Sequence, residues 1–249
     1  MLHPRVAGAR WLCAKVSPVN VGILGGTGPL GRGLALRLAA TGTSVVLGSR
    51  DPERAAVMAA EVVAAWPGET LAIDGAGNAA AAAADVVVMA TPWEAAVPTM
   101  RDIAEHVAGK VVICVANALV REGSDMLALI PPRGSVAASV AAAAPGALVA
   151  AAGHHLPAAV LGDLDRRLVA DVLVCSDHPE ATATTMALVA RIPGLRPLDA
   201  GGLASAAAIE AFTAVLVGLN IRYKAHSTLG LAGLDGNSRV PLRTEVPEL

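Results

Sequence analysis

A short apolar run, Asn20-Val21-Gly22-Ile23-Leu24, halts at Gly25-Gly26-Thr27-Gly28-Pro29-Leu30-Gly31, and from Leu30 to Ala40 the apolar residues recur at helical spacing. Strand, glycine turn and helix in that order open an α/β sheet, and Gly26, Gly28 and Gly31 meet the GxGxxG spacing. Each glycine has a physical reason: the first makes the tight turn, the second lets backbone approach a pyrophosphate, the third lets helix pack closely on strand. A lone match is weak, because a glycine turn that merely joins two elements looks the same. Its place between a strand and a helix makes this one a dinucleotide-binding motif.

The alternation continues downstream. Residues 44–48 read as a strand, 52–66 as a helix with Asp51 at its N-cap and Pro52 in its first turn, 71–74 as a strand and 79–84 as a short helix. Two continuous apolar runs, 85–90 and 110–115, suit strands buried on both faces, with a helix over about 94–107 between them. A proline- and alanine-rich stretch, 131–145, precedes strands at 147–152 and 171–175, a helix at 178–191, a strand at 195–198 and a long helix at 203–219. The expected fold is α/β: a Rossmann-type, doubly wound, mainly parallel sheet with a smaller C-terminal α/β lobe, and ligands at the carboxyl ends of the strands. Residues 1–18 read as a flexible extension, 19–150 as the dinucleotide-binding domain, 151–234 as the smaller lobe and 235–249 as a flexible tail.

Composition narrows the function. A formal charge of −2 with no basic stripe argues against nucleic acid, and no GxSxG or clustered His, Cys and carboxylate ligands point to a catalytic serine or a metal. Cys13, Cys114 and Cys175 lie far apart without ligand spacing, which fits buried free thiols in a reducing cytoplasm. Every long apolar segment reads better as an amphipathic helix than as a membrane span, and residues 1–18 lack the apolar core of a secretory signal. Small-molecule partners in the cytoplasm are expected, and a homodimer is admitted.

The end of the second strand selects the dinucleotide. An NAD enzyme usually places Asp or Glu there to accept the ribose 2'-hydroxyl. This chain has Ser49-Arg50, with Arg54 one turn into the next helix. A carboxylate would repel a 2'-phosphate, whereas a hydroxyl and a guanidinium fork attract it, so NADP(H) is favoured. The plainer alternative for Arg50 and Arg54 is solvated surface charge paired with Asp51 or Glu53.

Several further motifs stand in a fixed order: Gly48-Ser49-Arg50, Thr91-Pro92-Trp93-Glu94, His154-His155-Leu156-Pro157, Gly194-Leu195-Arg196-Pro197-Leu198-Asp199-Ala200-Gly201 and Asn220-Ile221-Arg222-Tyr223-Lys224-Ala225-His226. With the glycine turn they make the chain, from about 20 to 234, resemble the NADPH-dependent coenzyme F420 reductases. The resemblance implies reversible hydride transfer between the nicotinamide of NADP(H) and the 5-deazaflavin of F420, stacked in a cleft between the two lobes. By position it implies Thr27, Gly28, Pro29 and Leu30 at the pyrophosphate, Ser49, Arg50 and Arg54 at the 2'-phosphate, and Trp93 with Val97 at the middle of the NADP. Ala158 and Leu229 follow as further NADP positions, and His154 and Leu156 as ring-positioning residues with no acid or base role. His155 departs from the smaller residue the pattern expects. Hydride passage between two bound carriers needs alignment and no general acid, so a missing catalytic dyad is no objection. Anionic F420 tail groups call for cations, with Arg166, Arg167, Arg222 and Lys224 as candidates.

Two other functions suit the same motif. An NADP-dependent imine reductase resembling pyrroline-5-carboxylate reductase would share the glycine turn but need a proton donor. A non-catalytic NADP(H) sensor would keep the Rossmann lobe without hydride chemistry.

Overall fold

The computed structural model describes residues 19–234; the expected N-terminal extension and C-terminal tail, and Cys13, lie outside the described residues. The chain runs β1 (Asn20–Leu24), α1 (Pro29–Ala39), β2 (Ser44–Ser49), α2 (Pro52–Ala64), β3 (Ile73–Gly77), α3 (Asn78–Ala81), β4 (Val86–Met89), α4 (Trp93–Asp102) and β5 (Val111–Cys114). It continues with β6 (Leu119–Glu122), β7 (Asp125–Ala128), α5 (Val136–Ala143), β8 (Leu148–Ala151), α6 (Ala158–Leu161), β9 (Ala170–Ser176), α7 (Pro179–Arg191), β10 (Leu195–Asp199) and α8 (Ala206–Tyr223). As expected, Asp51 caps α2, accepting from the Arg54 backbone N–H at 3.1 Å, with Pro52 in the first turn. The third strand lies a few residues later than the 71–74 expected, at Ile73–Gly77.

Eight strands form one sheet in the order β10-β9-β8-β5-β4-β1-β2-β3. All neighbours pair in parallel except β8 and β9, which meet antiparallel through Ala150 opposite Ser176 and Ala151 opposite Cys175. The order reverses between β1 and β4, the topological switch point at which such sheets bind ligands. Alternate residues of the strands feed two cores. On one face Val86 and Val88 pack with Leu34 and Leu38 of α1 and Leu188 of α7; on the other, Val87 and Met89 pack with Met100 of α4, Val140 of α5 and Ile209 of α8. Covered on both sides, these strands read as unbroken apolar runs, as the sequence showed.

Two buried charges pin the C-terminal half to the rest. The Arg37 guanidinium donates to the carbonyls of Val160, at 2.8 Å, Leu161, at 3.1 Å, Arg166, at 2.8 Å, and Asp163, lashing α6 and the segment after it onto α1. Glu210, buried on α8, accepts from the first N–H groups of α5, Val136 at 2.7 Å and Ala137 at 3.0 Å. Burial pushes the Glu210 carboxyl up in pKa, and those two N–H donors oppose the shift. Among the described residues one helical stretch, Leu203–Tyr223, is long and apolar enough to cross a membrane by length and composition. Its carboxylate docked on α5 gives it a partner within the protein instead, while Phe212, Val215, Leu219 and Ile221 remain exposed. Cys114 and Cys175 are free and buried, and burial raises both thiols to about 12.

Candidate active site

A cleft of about 750 Å³ runs along the carboxyl ends of β1 to β5. Its walls include Gly25 and Thr27–Leu30 after β1, Ser49 and Arg50 at the end of β2, Asn78 after β3, Thr91–Trp93 after β4 and Val115–Asn117 after β5. The left-handed residue of the turn is Gly25, with φ of 75°, one position before the expected Gly26. A Cβ on Gly25 would also lie 2.7 Å from the Ala90 carbonyl oxygen, so only glycine fits. Gly26 and Gly31 face inward and pack on each other, a Gly31 Cβ meeting Gly26 Cα at 2.7 Å, which is the close helix-to-strand contact the motif predicts. Gly28, by contrast, lines the cleft, and its Cβ would meet no protein atom closer than 3.4 Å. The side kept bare there is the one a pyrophosphate needs at a helix N-terminus.

At one end of the cleft lie Ser49, Arg50 and Arg54. Ser49 Oγ accepts from the Asp51 N–H at 3.1 Å, which leaves its own hydrogen free to donate. No ion pair among the described residues ties Arg50 or Arg54 to Asp51 or Glu53, and Asp51 Oδ1 is occupied by the helix cap. Arg32, which the sequence reading passed over, also lines this wall, with Nη1 4.0 Å from Met58 Sδ. Asn78 was missed too: its Oδ1 is buried without a hydrogen-bond partner. Nothing local in the sequence marks either residue, because each joins the wall through the packing of α1 on α2 or of α3 on the sheet.

The other end is formed by Trp93, Val115, Ala116, Asn117 and Leu119. Behind this floor lies the loop after β8. His154 is only 4% exposed, neither ring nitrogen makes a hydrogen bond of good geometry, and burial, reinforced by neighbouring His155 and only partly opposed by the Ala116 and Val115 backbone beside the ring, lowers its pKa to about 4. It is therefore neutral near pH 7. His155 Nε2 lies 2.7 Å from the Asp171 carbonyl oxygen, to which it donates in the tautomer protonated there. Asp171 is held by Arg196 through two contacts, 2.6 and 2.7 Å, which keep its carboxyl below the usual range.

Of the residues singled out from the sequence, Thr27, Gly28, Pro29, Leu30, Ser49, Arg50, Arg54 and Trp93 share this cleft. Val97 sits one turn along α4 from Trp93. Ala158 lines a neighbouring pocket that shares Pro29 and Arg32 with the cleft. Leu156 packs under the sheet with Leu34, Val115 and Leu188, and Leu229 gives its carbonyl to the Asp171 N–H at 2.8 Å. Arg166 and Arg167 line a separate pocket beside Arg37 and Thr41, while Arg222 and Lys224 are exposed at the end of α8.

Residues 20–118 match the family model described as NADP oxidoreductase, coenzyme F420-dependent. Over 84% of its length the chain is 37% identical to the F420-dependent NADP reductase of Methanocaldococcus jannaschii, covering 96% of that protein. The chain belongs to the F420-dependent NADP reductase family. A second member, from Methanothermobacter thermautotrophicus, is 36% identical over 84% of this chain and 92% of its own. A solved structure from Arthrobacter sp. FB24, assigned to the same reductases, superposes with a TM-score of 0.73 at 26% identity, covering 86% of this chain and 99% of that one. Membership extends past the Rossmann strands into β8–β10, so the loop after β8 belongs to the family's common frame.

Proposed function

We propose that this chain transfers a hydride reversibly between NADP(H) and coenzyme F420 in the cleft along β1–β5. The observation that carries the reading is the cleft's cationic end, where Ser49, Arg50 and Arg54 stand with no acidic residue at the end of β2, in a chain of this family. A bare Gly28 and the orphaned Oδ1 atoms of Asn78 and Asn117 fit a dinucleotide with phosphates at its centre and N–H donors at its two ends. NADP(H) supplies the hydride chemistry; the chain supplies binding, alignment and exclusion of water.

Residues 19–150 hold NADP(H) in this reading, with Thr27–Leu30 at the pyrophosphate, Ser49, Arg50 and Arg54 at the 2'-phosphate and Trp93 and Val97 along its middle. Residues 151–234 complete the F420 side, where His154 and Leu156 set ring placement, and they add Ala158 and Leu229 as further contacts to the NADP. Two apolar surfaces, Phe212, Val215 and Leu219 on α8 and Val120 and Leu127 on the β6–β7 hairpin packed beside it, with Ile130 just after the hairpin, support a homodimer through this face. A neutral-pH, reducing cytoplasm suits the two buried thiols.

The deciding assay mixes the purified chain with NADPH and F420 and follows loss of F420 absorbance. Turnover is expected with NADPH. Oxidation of NADPH by pyrroline-5-carboxylate with none by F420 would overturn the proposal in favour of an imine reductase, and tight NADPH binding without turnover in favour of a sensor.

A further inference from the structure

Asn117 stands at the carboxyl end of β5, in the cleft wall beside Val115 and Ala116. Its Nδ2 donates to the His154 carbonyl at 2.8 Å. A carbonyl only accepts, so the amide must turn its nitrogen to His154, and Oδ1 is fixed in the opposite sense. That Oδ1 is buried and meets no donor among the described residues. Protein does not satisfy it, and a buried polar atom without a partner is rare enough in native structures to call for a functional explanation. The other residues lining this end, Trp93, Val115 and Ala116, bring no side-chain acceptor to it, which leaves the Asn117 amide as the side-chain acceptor of this wall.

Both rings that the proposed function brings here carry an amide-type N–H: the nicotinamide has its carboxamide, the deazaflavin its pyrimidine-edge imide. We infer that Asn117 Oδ1 accepts one of these N–H groups and sets the in-plane rotation of the ring that bears it. Asn117 is thus a positioning residue, itself aimed by the His154 backbone, so that the loop after β8 and the end of β5 align one ring together. The inference rests on the cleft being the NADP(H) site.

The test compares NADP+ with 3-acetylpyridine adenine dinucleotide phosphate, in which an acetyl group replaces the carboxamide and removes its N–H donor, on the full chain and on Asn117→Leu and Asn117→Ser. If the carboxamide is the donor, the wild type binds NADP+ about tenfold more tightly than the analogue, the difference expected for one hydrogen bond, and both variants lose that preference. If the imide is the donor, the preference is unchanged but the variants raise KM for F420 about tenfold at constant NADPH affinity. Either result supports the inference. Variants that keep the wild-type NADP+-to-analogue ratio and the wild-type KM for F420 would overturn it, and Asn117→Ser preserves this test should the leucine fail to fold. A wild type that binds NADP+ and discriminates against the analogue, yet does not reduce F420, would defeat the proposed function while upholding the carboxamide contact.

Discussion

Replacing Arg50 with alanine isolates the 2'-phosphate. Arg50 is exposed in the free protein, lines the cleft and makes no hydrogen bond or ion pair that holds the fold together, so its removal should leave stability unchanged. A charged hydrogen bond contributes about 1.5–3 kcal/mol. Exposure and screening favour the lower half of that range, and Arg54 with the Ser49 hydroxyl stays behind to hold part of the phosphate charge. A loss of about 2 kcal/mol in NADPH binding is expected, roughly a 30-fold rise in Kd. NADH lacks the 2'-phosphate and should bind Arg50→Ala as it binds the wild type. Fluorescence titration with both dinucleotides at two salt concentrations reads the effect, and the NADPH advantage of the wild type should shrink at the higher salt. An equal loss for NADH and NADPH would refute the reasoning, because it would place Arg50 at the pyrophosphate or in the fold.

Two further changes probe the C-terminal half, one at the clamp on α6 and one in the loop behind the cleft. Arg37→Ala removes a buried guanidinium from four carbonyls and should cost about 4 kcal/mol, read as a lower urea midpoint with little change in slope; a cost under about 1 kcal/mol would show that water replaces the clamp. His154 titrates at about 4 in the fold against about 6.5 unfolded, so between these values the unfolded chain binds the extra proton. Stability should therefore fall as pH drops through that window, by on the order of 3 kcal/mol for this histidine, and His154→Phe should flatten the slope of urea midpoint against pH between 7 and 5. An unchanged slope would mean that the ring is hydrated in the fold.

Local signals carried the first half of the chain. The glycine turn, the Ser49-Arg50 pair and the Asp51-Pro52 helix start each depend on neighbours within a few residues, and the structure has all three where the spacing puts them. The β6–β7 hairpin also had a local mark, the two-residue turn Gly123-Ser124, with Gly123 at φ of 59° between paired Glu122 and Asp125. It went unread because the flanking strands alternate poorly. Helix α5 was hidden inside the 131–145 stretch, where proline and alanine suggested irregular chain. Its start is in fact fixed by Ser135, which caps the Ala138 N–H at 2.9 Å, and by Glu210, which reaches it from α8 across 73 residues of sequence. No local pattern announces a cap supplied from so far away.

The C-terminal half shows why the residues proposed to position the rings were accessible only through resemblance. Strand β9 runs antiparallel to β8 and pairs with it at just two positions, so the backbone around Asp171 is left to other partners. Its carbonyl takes His155 Nε2, its N–H goes to the Leu229 carbonyl, and its carboxylate holds Arg196 and the Leu231 N–H at 2.5 Å. One residue thereby ties the loop after β8 to the start of β10 and to the chain beyond α8. His154 and Leu229 are separated by most of the C-terminal half in sequence, yet each lies one link from this node, His154 through its neighbour and Leu229 through its own carbonyl. A single ion pair that assembles three distant segments leaves no periodicity and no motif in any of them. Its role can be read only once the sheet direction is known, because a parallel β9 would have turned Asp171 away from the cleft loop.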